Sequence, residues 1–221
     1  MGQKVNPKVL RLGTIYNWES RWFDERNYKD RVLQDYKVRK ALMEKLKYAG
    51  VSEIEIERSI NTVKIIINVS KPGMVIGRAG TGLEDVKKYV LQLFQLLDKK
   101  KPGKNAPRID LRVEGVKEPN LNAYLVAKNI AEMLIKRLPF KRVLNSNAER
   151  VMGAGAKGVR IVLSGRINGS EIGRREKIQV GKVPLSTIRE DINYASYPSL
   201  TKKGYIGVKV WINRPEEKGA R

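Results

Sequence analysis

A glycine-rich segment places the tightest constraint on the fold of this chain. It reads Val75-Ile76-Gly77-Arg78-Ala79-Gly80-Thr81-Gly82-Leu83, after a β-rich run over 62–69 and before an apolar stripe of helical period. Glycines let the backbone approach a ligand closely, and a helix N-terminus offers unpaired N–H groups and a positive dipole end. With the cation of Arg78, the segment predicts a site for phosphate groups.

Other nucleotide-binding loops do not fit this spacing. A dinucleotide loop needs G-x-G-x-x-G, whereas these glycines run G-x-x-G-x-G, and a P-loop needs Gly-Lys before Ser or Thr, which the chain lacks. The segment resembles the KH signature V-I-G-x-x-G-x-x-I, which implies a clamp for single-stranded nucleic acid. A tight turn before a helix, without a ligand, is the alternative. The clamp residues are Gly77, Arg78, Ala79 and Gly80.

The charge of the chain points to a polyanionic partner. With 45 Lys and Arg residues against 23 Asp and Glu residues, the formal net charge is +22. Since 41% of the residues are hydrophobic, the chain can bury a core and is not a disordered basic tail. It has no Cys and no His, which excludes disulfides and Cys/His metal sites, and no metal or cofactor is expected.

Periodicity predicts an α+β fold in several segments. Residues 1–27 are expected to form an extended basic arm, and residues 214–221 a polar tail. Residues 28–118 follow the order helix, strand, strand, glycine loop, helix, strand, whereas residues 119–213 carry two helices and then a sheet of about four antiparallel strands. Predicted strands in the second sheet include 177–183 and 187–194, and a turn is expected at Lys71-Pro72-Gly73.

Positive charge is concentrated between residues 136 and 182. This stretch holds twelve basic residues against three acidic ones, a net charge of +9. So many positive charges in one folded domain repel one another, and binding of a polyanion relieves this repulsion. The alternative interpretation is a basic face that is only solvated. The residues predicted to contact RNA are Lys136, Arg137, Lys141, Arg142, Arg150, Lys157, Arg160, Arg166, Arg174 and Arg175.

The N-terminal arm is a further candidate RNA surface, through Gln3, Lys4, Lys8 and Arg11. Its aromatic residues either stack on bases or anchor the arm onto the helical layer. The basic loop from Lys99 to Pro107 is expected only to contact phosphates. Acidic residues form no convincing metal pair, because Glu190 and Asp191 on a predicted strand point to opposite faces.

Motifs along nearly the whole chain resemble bacterial ribosomal small-subunit protein three, a universal family of type II KH proteins. That resemblance implies a type II KH domain followed by a C-terminal α+β domain, a cytoplasmic place on the head of the small ribosomal subunit, and binding to 16S ribosomal RNA. The motifs are Gly2-Gln3-Lys4-Val5, Arg11-Leu12-Gly13, Ile56-Glu57-Arg58, Gly155-Ala156-Lys157-Gly158, Ser164-Gly165-Arg166 and Gly207-Val208-Lys209-Val210-Trp211-Ile212.

The resemblance also implies neighbours and a part in translation. Ribosomal proteins ten and fourteen would lie beside the chain, with proteins four and five near the channel through which messenger RNA enters. There Lys141 and Arg142, after Phe140, would grip messenger RNA and help to unwind it. A further basic residue of some members aligns with Asn145, so this help is expected to be weaker. No membrane or small-molecule substrate is implied.

Two other functions remain open at the level of sequence. A free KH-type RNA chaperone or translational regulator would bind short single strands selectively. A nuclease or lyase could use a lysine as a Schiff-base nucleophile, but no acid/base constellation accompanies any lysine, so an enzyme is not expected.

Overall fold

The buried apolar residues collect into separate cores in two units. The computed structural model describes residues 5–59, 62–97 and 108–215. The first unit is Trp18–Lys117, and the second unit combines residues 5–17 with residues 118–215. No helix in the described ranges is long and apolar enough to cross a membrane.

The helices and strands follow the predicted α+β order. They are α1 (Pro7–Leu10), β1 (Ser20–Arg21), α2 (Tyr28–Lys45), β2 (Val51–Arg58), β3 (Thr62–Val69), α3 (Pro72–Ile76), α4 (Thr81–Leu97), β4 (Arg108–Gly115), α5 (Ala123–Ile135), α6 (Phe140–Gly153), β5 (Gly158–Gly165), β6 (Arg174–Gly181), β7 (Ile192–Thr201) and β8 (Gly204–Asn213).

The first unit packs α2 and α4 on a sheet of order β1-β2-β3-β4. Strands β2 and β3 are antiparallel, whereas β3 and β4 are parallel because α3 and α4 connect them. Val38 and Leu42 of α2 and Val90 and Phe94 of α4 are buried in the core. Each such side chain stabilises the fold by about 1.5–3 kcal/mol. The predicted order from the first long helix to the strand over 108–115 is confirmed.

A buried ion pair ties β2 to α2. Arg58 binds Asp35, with its Nε 2.8 Å from Asp35 Oδ1, and only 6% and 3% of the two side chains are exposed. Trp22 donates its indole N–H to the other carboxylate oxygen at 2.7 Å. A carboxylate buried this deeply needs such partners, because an unpaired buried charge is costly. Trp22 therefore anchors the preceding segment, which is one of the two roles expected for its aromatic residues.

The second unit covers one face of a four-stranded sheet with α5 and α6. The strand order is β6-β5-β8-β7, and all neighbouring pairs are antiparallel. Val159, Ile161 and Leu163 alternate along β5 toward the helices and are fully buried. The two helices followed by a four-stranded antiparallel sheet confirm the predicted C-terminal fold.

Residues 5–17 fold onto the second unit instead of forming an extended arm. Asn6 caps the short helix α1 by accepting from the backbone N–H of Lys8 at 3.0 Å. Tyr16 donates a short hydrogen bond to Asp191. Burial, this hydrogen bond and the charge of Asp191 raise the pKa of Tyr16 far above its ordinary value. Residues from Trp18 onward belong to the first unit, so the predicted arm is divided.

Arg11 holds this segment in place from inside the fold. Its side chain is fully buried, and its guanidinium donates to the backbone oxygens of Glu190 at 2.7 Å and Thr187 at 2.7 Å. Three further carbonyl oxygens, of Pro7, Pro184 and Leu185, also accept from it. Each nitrogen of the guanidinium thus donates to at least one carbonyl oxygen, so the buried cation is satisfied. The prediction that Arg11 contacts RNA is therefore wrong.

Two other sequence predictions differ from the structure. The strand expected over 187–194 begins only at Ile192, because the preceding residues turn around Arg11, and Glu190 and Asp191 consequently lie outside any strand. The turn expected at Lys71-Pro72-Gly73 leads instead into the short helix α3, with Pro72 in its first turn. The predicted loop from Lys99 to Pro107 lies outside the described residues.

Arg11→Ala should destabilise the second unit by about 3–5 kcal/mol, because five carbonyl oxygens lose a charged donor inside the fold. Urea unfolding followed by circular dichroism measures this difference. The exposed Arg142→Ala is the matched control and should change the free energy of unfolding by about 0.5 kcal/mol or less. Equal stabilities of the two variants would contradict the structural role of Arg11.

Candidate nucleic-acid interface

The predicted clamp lies between α3 and α4 and is built from left-handed backbone. Gly77 ends α3 at φ +71° and ψ −175°, and Gly80 has φ +82°. Ala79 lies at φ +51°, a conformation that costs a non-glycine residue of the order of 1 kcal/mol. The side chains of Arg78 and Ala79 are exposed, and α4 begins at Thr81. The loop thus presents Arg78 to solvent at the start of α4, while the N–H of Thr81 already donates to the carbonyl oxygen of Arg78.

Gly82 is a requirement of this loop that the sequence analysis did not assign. A Cβ atom there would lie 2.6 Å from the carbonyl oxygen of Val75 and 3.1 Å from that of Ile76. The third glycine in G-x-x-G-x-G is therefore the residue that lets α3 and α4 approach each other. The position of Gly82 as the third glycine of this motif is the sequence signal that could have indicated its packing role.

Exposed apolar side chains lie next to the clamp. On α3, Met74 is 58% exposed and Ile76 is 39% exposed. Exposed apolar surface beside the predicted clamp is the kind of surface on which the bases of a single strand stack, because each base has an apolar face. The clamp and α3 together form a surface that can take backbone and bases.

The basic pair of α6 lies in its first turn. Lys141 and Arg142 are exposed, whereas Val143 and Leu144, next in the chain, are buried in the core. Arg174 of β6 places its guanidinium 5.5 Å from the ring centre of Phe140, at the start of α6. Arg174 therefore lies at the start of α6, where it also pairs with Glu176 at 3.4 Å. Asn145, one turn after Lys141, is also exposed and carries no charge.

Lys136 and Arg137 occupy the turn that separates α5 from α6. Both are exposed, and Arg137 adopts φ +60°. The N–H of Leu138 donates to the carbonyl oxygen of Met133 at 3.2 Å, and the N–H of Arg137 donates to that of Leu134 at 3.0 Å. This pair of hydrogen bonds is the usual end of a helix that is followed by a left-handed residue. Arg150, in the last turn of α6, is exposed as well.

The remaining predicted cations do not share this surface. Lys157 forms an ion pair with Glu190, with 3.6 Å between Nζ and Oε2. The guanidinium of Arg160 lies 5.4 Å from the ring centre of Trp211, and its Nε is buried without a hydrogen bond to any described residue. Arg166 donates to the carbonyl oxygen of Ser170 at 2.8 Å. The predicted basic face is thus spread over several surfaces.

The four arm residues predicted to contact RNA also differ in where they lie. Gln3 and Lys4 lie outside the described residues. Lys8 is half-buried, with its Nζ 5.9 Å from the ring centre of Tyr16, and Arg11 is internal. Of the two described arm residues, Arg11 serves packing, and the RNA contact of Lys8 stays a prediction. Among the described residues, no group of three or more Asp and Glu side chains could hold a metal ion.

Comparison with known proteins identifies the family. Residues 37–121 match the model of the KH domain, and residues 130–212 match that of the ribosomal protein S3 C-terminal domain. The small ribosomal subunit protein uS3 of Lactobacillus helveticus is 44% identical over 216 residues, which cover 98% of this chain and 92% of that protein. The chain belongs to the uS3 family. Its members are structural, non-enzymatic proteins of the small ribosomal subunit.

Other relatives agree over the same length. The uS3 protein of Desulfitobacterium hafniense is 45% identical over 98% of this chain and 94% of its own. That of Caldicellulosiruptor saccharolyticus is 44% identical over 100% of this chain and 96% of its own. The chain is therefore a structural constituent of the small subunit of the cytoplasmic ribosome, as the sequence predicts. Neither the lysine-dependent lyase nor the free regulator has support among these relatives.

Gly82→Ala should distort the clamp and lower the free energy of unfolding by about 1–3 kcal/mol, because the new Cβ meets a backbone oxygen at 2.6 Å. Gly73→Ala in α3 is the matched control, since no atom lies within 4 Å of its added Cβ. Its stability should stay the same or rise by about 0.5–1 kcal/mol. Urea unfolding measures both variants, and equal effects would contradict the packing role of Gly82.

Proposed function

We propose that this chain binds 16S ribosomal RNA in the head of the small subunit and that α6 helps to line the channel through which messenger RNA enters. The observation that carries the proposal is the pair of exposed cations in the first turn of α6, Lys141 and Arg142, with Arg174 of β6 against Phe140 at the start of that helix. Lys141 and Arg142 are held on a helix and Arg174 on a strand, and none of them is on a loop. A passing strand thus meets a fixed row of charges.

Electrostatics explains how such a surface acts on RNA. Each phosphate that a Lys or Arg neutralises releases condensed counterions, which favours binding whatever the sequence. A surface of this kind grips a strand without selecting bases and without consuming a nucleotide. It favours single strands held over it and so assists unwinding. With the uncharged Asn145 on the same helix, this assistance is weaker than three basic residues would give.

The KH clamp adds a second contact with ribosomal RNA. Arg78 is its one charged side chain, and the N–H groups that follow Thr81 in the first turn of α4 are its further donors, since the N–H of Thr81 itself is bonded to the carbonyl oxygen of Arg78. Because Ala79 supplies no side-chain donor, we assign the clamp a supporting part. The basic surface of the second unit carries most of the charge.

We also propose a protein-binding surface in the first unit, for ribosomal proteins ten and fourteen. Residues 18–36 carry five acidic and four basic residues, a net charge of −1, in a chain of charge +22. Large apolar side chains are nevertheless exposed there. Phe23 is 83% exposed, and Tyr28, Val32 and Tyr36 form an exposed stripe at successive turns of α2. A near-neutral aromatic surface suits a protein better than phosphates. Proteins four and five are assigned to the neighbourhood of α6.

Lys141→Ala with Arg142→Ala should reduce initiation on messengers that carry a hairpin by about fivefold, because two exposed phosphate contacts of about 1 kcal/mol or less are lost. Reconstituted small subunits and a toeprinting assay measure this. Initiation on unstructured messengers should stay unchanged. Asn145→Lys is the matched gain of charge and should improve initiation on hairpin messengers. Unchanged initiation by both variants would contradict a role of α6 in the channel.

Phe23→Ser with Tyr36→Ser should weaken association with ribosomal proteins ten and fourteen by at least tenfold, because two exposed aromatic anchors are removed. Native mass spectrometry of the mixed proteins measures the complex. The affinity of the same variant for ribosomal RNA should remain that of the unaltered chain. A loss of RNA binding with full protein association would contradict this assignment.

A further inference from the structure

One face of the second unit's sheet is not covered by α5 or α6. Because side chains alternate along a strand, Val162 and Ser164 of β5 point away from the face that packs on the helices. The register places Lys177 of β6 and Lys209 of β8 beside Val162 on that same side. We name this surface the open face. Toward its other end, Val183 and Leu185 pack against Trp211, so only part of it is exposed.

The exposed part carries an aromatic ring at its edge. Tyr205 of β8 is paired with Leu200 of β7, and the two side chains are 66% and 59% exposed. Gly207, two residues beyond Tyr205 on the same face, has no side chain, and its strand neighbour is the small Ser164. The ring of Tyr205 therefore stands above a shallow floor and is open to a planar ligand.

The rest of the exposed part is positively charged. Arg175, Lys177 and Lys209 are exposed on this face, and none of them forms an ion pair with a described residue. Strands β5 to β8 contain a single carboxylate, that of Glu176. Alternation turns Glu176 to the opposite side, where it pairs with Arg174 at 3.4 Å. Unscreened like charges on one sheet face repel one another unless a polyanion lies over them.

We propose that the open face is a platform for single-stranded RNA, distinct from α6 and the KH clamp. A base stacks on Tyr205, and backbone phosphates lie over Arg175, Lys177 and Lys209. Single-stranded RNA offers planar bases and phosphates together, which fits both features of the surface. A protein partner would have to bring several carboxylates to the same place. This proposal rests on the part of the proposed function that makes RNA a partner of the chain. It does not require that α6 lines the messenger RNA channel.

Binding of the full chain to a fluorescein-labelled oligouridylate of about 12 nucleotides tests the platform, by fluorescence anisotropy over a range of salt. Tyr205→Ala should weaken binding about tenfold, because one stacked base is lost. Tyr205→Phe keeps the ring and should bind like the unaltered chain. Tyr48→Ala removes a tyrosine that is 84% exposed in the first unit and should have no effect.

The charged part of the platform has its own readout. Lys177→Ala with Lys209→Ala should lower the slope of log affinity against log salt by about 1.4, since each phosphate contact to a single strand contributes about 0.7. A 4-thiouridine crosslink should map to the peptide that contains Tyr205. Equal affinities of Tyr205→Ala and the unaltered chain, or crosslinks only to other peptides, would overturn the proposal and leave the surface to a protein.

The outcome is separable from that for α6. In the background of Lys141→Ala with Arg142→Ala, the tenfold effect of Tyr205→Ala should persist, because the two surfaces act independently. Disappearance of the effect in that background would overturn the platform as a distinct site. Failure of the α6 variant to impair initiation would count against the channel role alone.

Discussion

A formal charge of +22 governs how this chain folds, because the charged groups must stay outside its apolar cores. Where a guanidinium does enter the interior, hydrogen-bond acceptors surround it. Arg58 pairs with Asp35, and Arg11 ends among five carbonyl oxygens. Leaving either unmatched costs several kcal/mol. These two arginines therefore determine where β2 meets α2 and where the N-terminal segment meets the second unit.

The charges that remain outside are not evenly distributed. Residues 18–36 are almost neutral and expose aromatic side chains, whereas α6 and the open face expose cations with few carboxylates nearby. Such a division suits a structural protein of the ribosome, which has to contact proteins and RNA at once. The surfaces act by charge and shape, held on rigid helices and strands.

Local pattern predicts much of this architecture, and long-range contact explains what it misses. The run over 62–69 and the stripe from Gly80 to Leu97 are correct because one periodicity dominates each. Arg11 looked like a surface cation because its five acceptors are backbone atoms, four of them more than 170 residues away. Lys209 is absent from the predicted basic residues because it lies 32 positions from Lys177 in the sequence, and only the strand register shows that the two share a face of the sheet. Most of the basic residues predicted to contact RNA are exposed, but sequence distance could not sort them into separate surfaces.

Sucrose-gradient sedimentation of native lysate, with this protein followed across the fractions before and after a high-salt wash, tests the central claim most directly. The protein is expected to sediment with the small subunit at about one copy per particle and to stay on that particle after a moderate-salt wash. Residence in the light fractions, with no copy on the small subunit, would contradict it.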